Sequence, residues 1–197
     1  ITKASVYTKD MTKKNDIYKF FFFCHFRSIY SKEIAVESAN LNNIYGGLTP
    51  IRMGGGHQTN SLRLADKENR EYNMRAVKKS ATRFIQSVAF KNDYVVDEFE
   101  NTFTEKFLMD FYTTTNPYYP LVIPPMQEKL GILHAQPKLY YIPKQTALKE
   151  YNERFGDELY MIEERPMVEH RDKNRFGSPN DIISTDDMLA NIQKSKN

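Results

Sequence analysis

Apolar and polar positions alternate from Ser61 to Ala65 and again from Glu71 to Lys79, and between them lies the turn-forming run Asp66-Lys67-Glu68-Asn69. This pattern predicts a β-hairpin. From Thr82 to Asn116 the period lengthens. Val95, Val96, Phe99, Phe103, Phe107, Leu108 and Phe111 recur at helical spacing among acids. Asn116-Pro117 ends that helix, because the residue before a proline is pushed out of helical backbone. A further short helix is expected from Leu121-Val122-Ile123-Pro124-Pro125 to Gly131. Two more strands follow, Pro137 to Pro143 and Glu158 to Glu164, with a helical stretch from Ala147 to Phe155 between them.

The flanks are less regular. Residues 1–16 are polar and lysine-rich and read as a mobile arm or the tail of an upstream element. Phe20, Phe23, Phe26 and Tyr30 fall near helical spacing and predict one short amphipathic helix over Ile17 to Tyr30. Ile34, Val36 and Leu41 suggest an extended stretch ended by Gly46-Gly47. Beyond Pro166 the chain is strongly polar, with a last helix over Asp186 to Lys194, where Asp186 and Asp187 suit the helix dipole. The expected division is an arm with an aromatic-rich helix over 1–40, an α+β domain over 41–166 and a polar exit over 167–197. The domain is expected to be an antiparallel sheet with helices packed on one face.

Composition narrows the function classes. Of the 197 residues 40% are hydrophobic and 27% charged, which fits a globular domain rather than a disordered chain. A net charge of +3 without a dense Lys/Arg block gives no argument for nucleic acid. Cys24 is the only cysteine, so neither an internal disulfide nor a thiolate zinc site can form within the chain. His25, His57, His134 and His170 lie far apart and read as structural or surface residues, leaving no metal site to expect. Tyr18 to Phe23 is the most apolar run and is far too short to cross a bilayer. The chain opens on Ile1 without a signal-peptide pattern, which fits a cytosolic molecule or, the favoured reading, a piece of something longer.

Candidate chemistry sits around the hairpin. Gly54-Gly55-Gly56 precedes Gln58, Thr59 and Ser61, and the second strand ends in Lys78-Lys79. Glycine lets backbone N–H groups approach an anion closely, the neighbouring hydroxyls and amide can donate to phosphate oxygens, and a lysine neutralises charge. Protein kinases use a similar layout, with a glycine loop over ATP and a lysine on the third strand. Here Gly-Gly-Gly-His-Gln-Thr departs from G-x-G-x-x-G. Strand alternation groups Lys78 with Met74 and Ala76, and Lys79 with Arg75 and Val77. Both lysines fit the nucleotide role, and both also fit as solvated strand-end charges. Such a lysine needs an acid from the following helix. Glu98, Glu100, Glu105 and Asp110 are placed for that, or simply form the helix's wet face. The strand running from Tyr160 to Pro166, with Met161, Glu163 and Glu164, reads as the hinge that meets an adenine or as a plain core strand.

Several stretches together resemble a known family. They are His25-Phe26-Arg27, Gly46-Gly47-Leu48-Thr49-Pro50, Gly54 to Leu64, Tyr72-Asn73-Met74-Arg75, Asn116-Pro117-Tyr118 and Glu163-Glu164-Arg165-Pro166. They resemble a region of large cell-envelope proteins of the Bacteroidota. In that family the region lies near a calcineurin-like metallophosphoesterase domain and an outer-membrane barrel of the surface-antigen type. It is often followed by a GDWDRHxDQ-like motif similar to atypical kinase loops. The resemblance implies a kinase-small-lobe-like fold, a phosphotransferase-like unit using ATP with Mg in a longer parent, an envelope location on the periplasmic side, and either a nucleotide or envelope proteins as partners. It aligns the nucleotide lysine with Lys79 and a family acid with Asp110. No such motif, no complete H-R-D-x-x-x-x-N loop (His170-Arg171-Asp172 is present, but Gly177 stands where the Asn belongs) and no Asp-Phe-Gly metal site occurs within these residues, so the stretch carries at most half of an active site. A non-catalytic periplasmic interaction module is the other reading.

Overall fold

A computed structural model describes residues 1–55, 58–88, 102–167 and 176–195. In chain order its strands are β1 (Thr2–Ala4), β2 (Ile34–Val36), β3 (Thr49–Met53), β4 (Thr59–Ala65), β5 (Glu71–Lys79), β6 (Lys138–Ile142) and β7 (Glu158–Glu164). Its helices are α1 (Lys9–Thr12), α2 (Asp16–Phe22), α3 (Arg27–Tyr30), α4 (Ala81–Val88), α5 (Phe103–Phe111), α6 (Ile123–Lys129), α7 (Asn152–Phe155) and α8 (Thr185–Lys194). The architecture is α+β. A five-stranded antiparallel sheet has the order β3-β4-β5-β7-β6, and β1 pairs with β2 in a small second sheet.

The expected hairpin lies at the centre of the large sheet. Its turn is held by Asp66, whose carboxylate accepts from the backbone N–H of Glu68 at 2.9 Å and of Arg70 at 3.0 Å, and from the Arg70 guanidinium at 2.6 Å. Asn69 takes a left-handed φ of 60°, which asparagine tolerates better than most residues. Strand β3 carries no clear alternation and contains Pro50. Proline is admitted to a sheet mainly at an edge, and β3 is an edge strand.

Alternation along the strands sends side chains to two cores. Leu62, Leu64, Tyr72, Met74, Ala76, Tyr140, Ile142, Tyr160 and Ile162 pack with Ala39, Leu41 and Leu48 and with Leu148 and Phe155. Val77 and Leu159 pack with Val6, Tyr7, Tyr30 and Val36, while Met109, Tyr118 and Met161 border this second core. Helices α3 and α5 therefore lie on one face. Cover extends to the other face too, through the 39–48 segment and the short α7. Gln145 ties that cover down: its side-chain oxygen accepts from Leu41 N–H at 2.8 Å and its amide donates to the Ala39 carbonyl at 3.1 Å.

Four local expectations are corrected. The arm over 1–16 is docked rather than free, since β1 pairs with β2 and the N–H groups of Val6 and Tyr7 both donate to the Tyr30 carbonyl. The aromatic helix over 17–30 is two helices, broken where Phe23 and His25 take φ of 56° and 48°. Only Tyr30 of its four spaced aromatics is buried; Phe20, Phe23 and Phe26 face outward. The long helix over 82–116 is described as α4 and α5, with a tight turn over Tyr112–Thr114 before Asn116. Val95, Val96 and Phe99 lie outside the described residues. The stretch over 147–155 is a 3-10 turn (Thr146–Tyr151) kinked at Lys149, followed by α7.

Candidate functional site

Lys79 closes β5 on the face opposite Met74 and Ala76, and there it is half-buried. It lines a cleft of about 600 Å³ with Gln58, Thr59, Arg75, Val77, Met161 and Glu163 from the sheet side. The facing wall comes from α5 and the turn after it, with Phe111, Tyr112, Asn116, Pro117 and Tyr119, and Phe84 of α4 also contributes. This size falls within the roughly 300–1,000 Å³ typical of small-molecule sites. The mixture of an apolar wall with a few polar groups is also typical of them.

The geometry separates the two lysines. Lys78 lies at a different, smaller depression with Ser5, Asp157 and Glu158, and its Nζ stands 3.8 Å from Glu158 Oε1. The backbone ladder explains why the cleft end is well defined. Thr59 is opposite Lys79, the register shifts before Ser61 meets Arg75, and Ser80 N–H donates to the Gln58 carbonyl at 2.7 Å. The loop end of β4 is thereby pinned beside Lys79.

Electrostatics favour an anion at this place. Burial lowers the pKa of Lys79, and the nearby positive Arg75 lowers it further. Both effects penalise the charged ammonium, and a bound anion would relieve them. Arg75 makes an ion pair with Glu163, Nη2 to Oε1 at 3.4 Å. Among the described residues the cleft thus holds two cationic side chains against one carboxylate. The Tyr112 hydroxyl is buried without a partner among the described residues.

Not every expected residue joins the cleft. Gly54 is engaged within the sheet: its N–H donates to the Ser61 carbonyl at 2.8 Å, so it cannot also donate to phosphate. A Cβ at Gly54 would overlap Ser61 Oγ and crowd Ser61 Cβ, so a side chain there would force the serine to turn away. Ser61 does not line the cleft either. Gly55 is exposed in open space, and Gly56 lies outside the described residues.

The proposed acid partner for the lysine is corrected as well. Asp110 is bound by Arg27 rather than by Lys78 or Lys79, with Nε–Oδ1 and Nη2–Oδ2 both at 2.7 Å, and it also accepts from the Tyr18 hydroxyl at 3.0 Å. Its physical role is to anchor the N-terminal helices. Glu98 and Glu100 lie outside the described residues, and Glu105 sits in the first turn of α5, where its N–H is capped by Thr102. Of the hinge residues, Met161 and Glu163 line the cleft, while Glu164 faces another depression beside Arg70, Tyr72 and Lys138.

Sequence reading missed the cleft's far wall. Asn116-Pro117 signals a helix stop by its local chemistry, and nothing local indicates that Tyr112 and Tyr119 line a cleft with β5 and β7. Among the described residues no group of three or more His, Cys, Asp or Glu could hold a metal ion, and no helix is long and apolar enough to cross a membrane. No family model matches the chain, and neither a curated protein nor a solved structure matches it.

Proposed function

We propose that the cleft binds a nucleotide or another phosphorylated ligand, with Lys79 as the phosphate-neutralising cation and Gln58 and Thr59 as neighbouring donors. The observation that carries this reading is the half-buried Lys79 sharing one cleft with the end of the glycine loop and with Met161 and Glu163 of β7. Its depressed pKa supports the reading, because an ammonium short of counter-charge gains more from a phosphate than a solvated one does. The apolar wall of Phe111, Tyr112 and Tyr119 suits a flat base.

The layout adds a second support. A glycine-containing segment links the first two strands of the five-stranded sheet in sequence, the third strand carries the lysine, helices follow, and two strands lead to the exit. The same succession serves phosphate binding in the small lobe of protein kinases. On this reading the chain supplies the nucleotide-holding half of a phosphotransferase-like unit on the periplasmic side of an envelope protein. Magnesium and the catalytic base would come from elsewhere.

Calorimetric titration with Mg–ATP tests the proposal. Wild type should bind, and Lys79→Ala should weaken binding by about tenfold or more, the worth of a charge-assisted hydrogen bond. Lys78→Ala should leave it unchanged. Equal binding by all three, or no binding by any, removes the nucleotide reading. The non-catalytic interaction module then takes its place.

A further inference from the structure

The aromatic run around α2 takes no part in the cleft and little in either core. Ile17 is 73% exposed, Phe20 80%, Phe21 67% and Phe23 73%. The surface continues onto α5: Phe22 meets Phe107 edge-on at 5.7 Å, and Phe107 stacks with Phe103 at 6.3 Å, itself 82% exposed. Contiguous apolar surface of this kind marks an interaction site.

Its presentation is held in place rather than loose. Phe23 sits at φ 56° and ψ 176°, an unfavourable conformation for a bulky residue. Its carbonyl accepts from the buried guanidinium of Arg27, which Asp110 holds in turn. The turn that projects Phe23 is therefore fixed from inside the protein.

Charge identifies the occupant. Residues 1–23, which carry the aromatic run, hold five lysines against two aspartates, and although Lys14 pairs with Asp110 and Lys19 with Asp16, the segment keeps a formal excess of positive charge. Lys9 and Lys13 are exposed, and Lys14 lies over the Tyr18 ring at 5.1 Å. A second copy docked symmetrically on this face would set like charge against like. Exposed aromatics flanked by lysines instead match an anionic bilayer, whose headgroup level accepts rings and whose surface attracts cations.

We propose that α2, with Phe23 and the neighbouring Phe103, is an interfacial anchor that docks this domain on an anionic lipid surface without spanning it. The test is flotation of the full chain with vesicles of phosphatidylcholine alone and of equimolar phosphatidylcholine and phosphatidylglycerol. Binding should be confined to the anionic vesicles and weaken with added salt. Phe20→Ser with Phe21→Ser should reduce it about tenfold or more, the worth of burying such a ring, and Lys9→Ser and Lys13→Ser about fivefold each. These exposed substitutions should leave thermal unfolding unchanged. Absence of binding to anionic vesicles, or binding indifferent to the phenylalanine pair, overturns the proposal. So does concentration-dependent dimerisation that the same pair abolishes, which would assign the face to a second copy.

Discussion

Arg27 and Asp110 stand 83 residues apart in the chain and meet in a two-point ion pair, Nε to Oδ1 and Nη2 to Oδ2 each at 2.7 Å, with only 6% and 3% of their side-chain surfaces exposed. Tyr18 and Lys14 add to it from the N-terminal segment, the tyrosine hydroxyl at 3.0 Å and the lysine at 3.9 Å. Through this contact the first 30 residues are fastened to α5, and α5 with its following turn forms one wall of the cleft. The pair adds a polar tie to the apolar one that Tyr7 and Tyr30 make with Met109 of α5 in the second core.

Removing one partner strands a buried charge. Arg27→Ala and Asp110→Ala should each destabilise the protein by about 3–5 kcal/mol in urea unfolding. The double substitution with Ala at both positions should cost clearly less than the two single losses combined, because neither charge is then left alone. Strict additivity would mean that the two groups do not act as a pair.

The same carboxylate sets an acid limit. Burial raises the Asp110 pKa, but hydrogen bonds from Arg27 and Tyr18 outweigh it and hold the carboxyl below its ordinary 3.8. A depressed folded-state pKa contributes stability above the unfolded value, and that contribution is lost as pH falls through the folded value. Wild type should thus lose stability below about pH 4. Asp110→Asn should start less stable and show a shallower acid decline, as read by denaturant midpoints across that range. Asp66, also held low despite its burial by hydrogen bonds from Arg70 and Glu68, should supply the decline that persists.

Lys79 has the opposite sign. Its folded-state pKa lies below the ordinary 10.5, so the folded chain sheds this proton before the unfolded chain does. The penalty on the charged form is complete below the folded pKa and is relieved as pH rises through it toward 10.5. Lys79→Met should be more stable than wild type near neutrality, with the gap closing at alkaline pH. Phosphate binding runs the other way. It needs the ammonium and should weaken as pH passes the folded pKa. A binding profile flat through that range would detach Lys79 from the ligand.

The glycine loop divides into two kinds of position. Gly54→Ala should cost about 1–3 kcal/mol, since its Cβ overlaps Ser61 Oγ and crowds Ser61 Cβ. Gly55→Ala meets nothing within 4 Å and has no left-handed φ, so it should be neutral or stabilise by about 0.4–1 kcal/mol through the unfolded chain. Thermal unfolding of the two variants checks both. Equal losses would show that the loop is packed more tightly than the glycine contacts indicate.

Local pattern alone determined the hairpin, β6, β7, α6 and α8, because each has a period or a turn signal contained within its own residues. Asp66 followed by Asn69 is turn chemistry wherever it occurs, and Ser184 ahead of Asp186-Asp187 caps α8, accepting from Asp187 N–H at 3.1 Å. The two-residue period of β5 likewise suffices to group Lys79 with Arg75 and Val77. Tertiary structure decided the rest. Only packing places Lys79 in the larger cleft and Lys78 beside Glu158, since both lysines are equally basic and sit at the same strand end. Only packing commits Asp110 to Arg27, because a carboxylate on a helix face carries no mark of which distant cation will reach it. β3 and the break at Phe23 were hidden for the same reason. A proline-containing strand is stable only with an edge to occupy, and a phenylalanine at positive φ only with a buried guanidinium to hold its carbonyl.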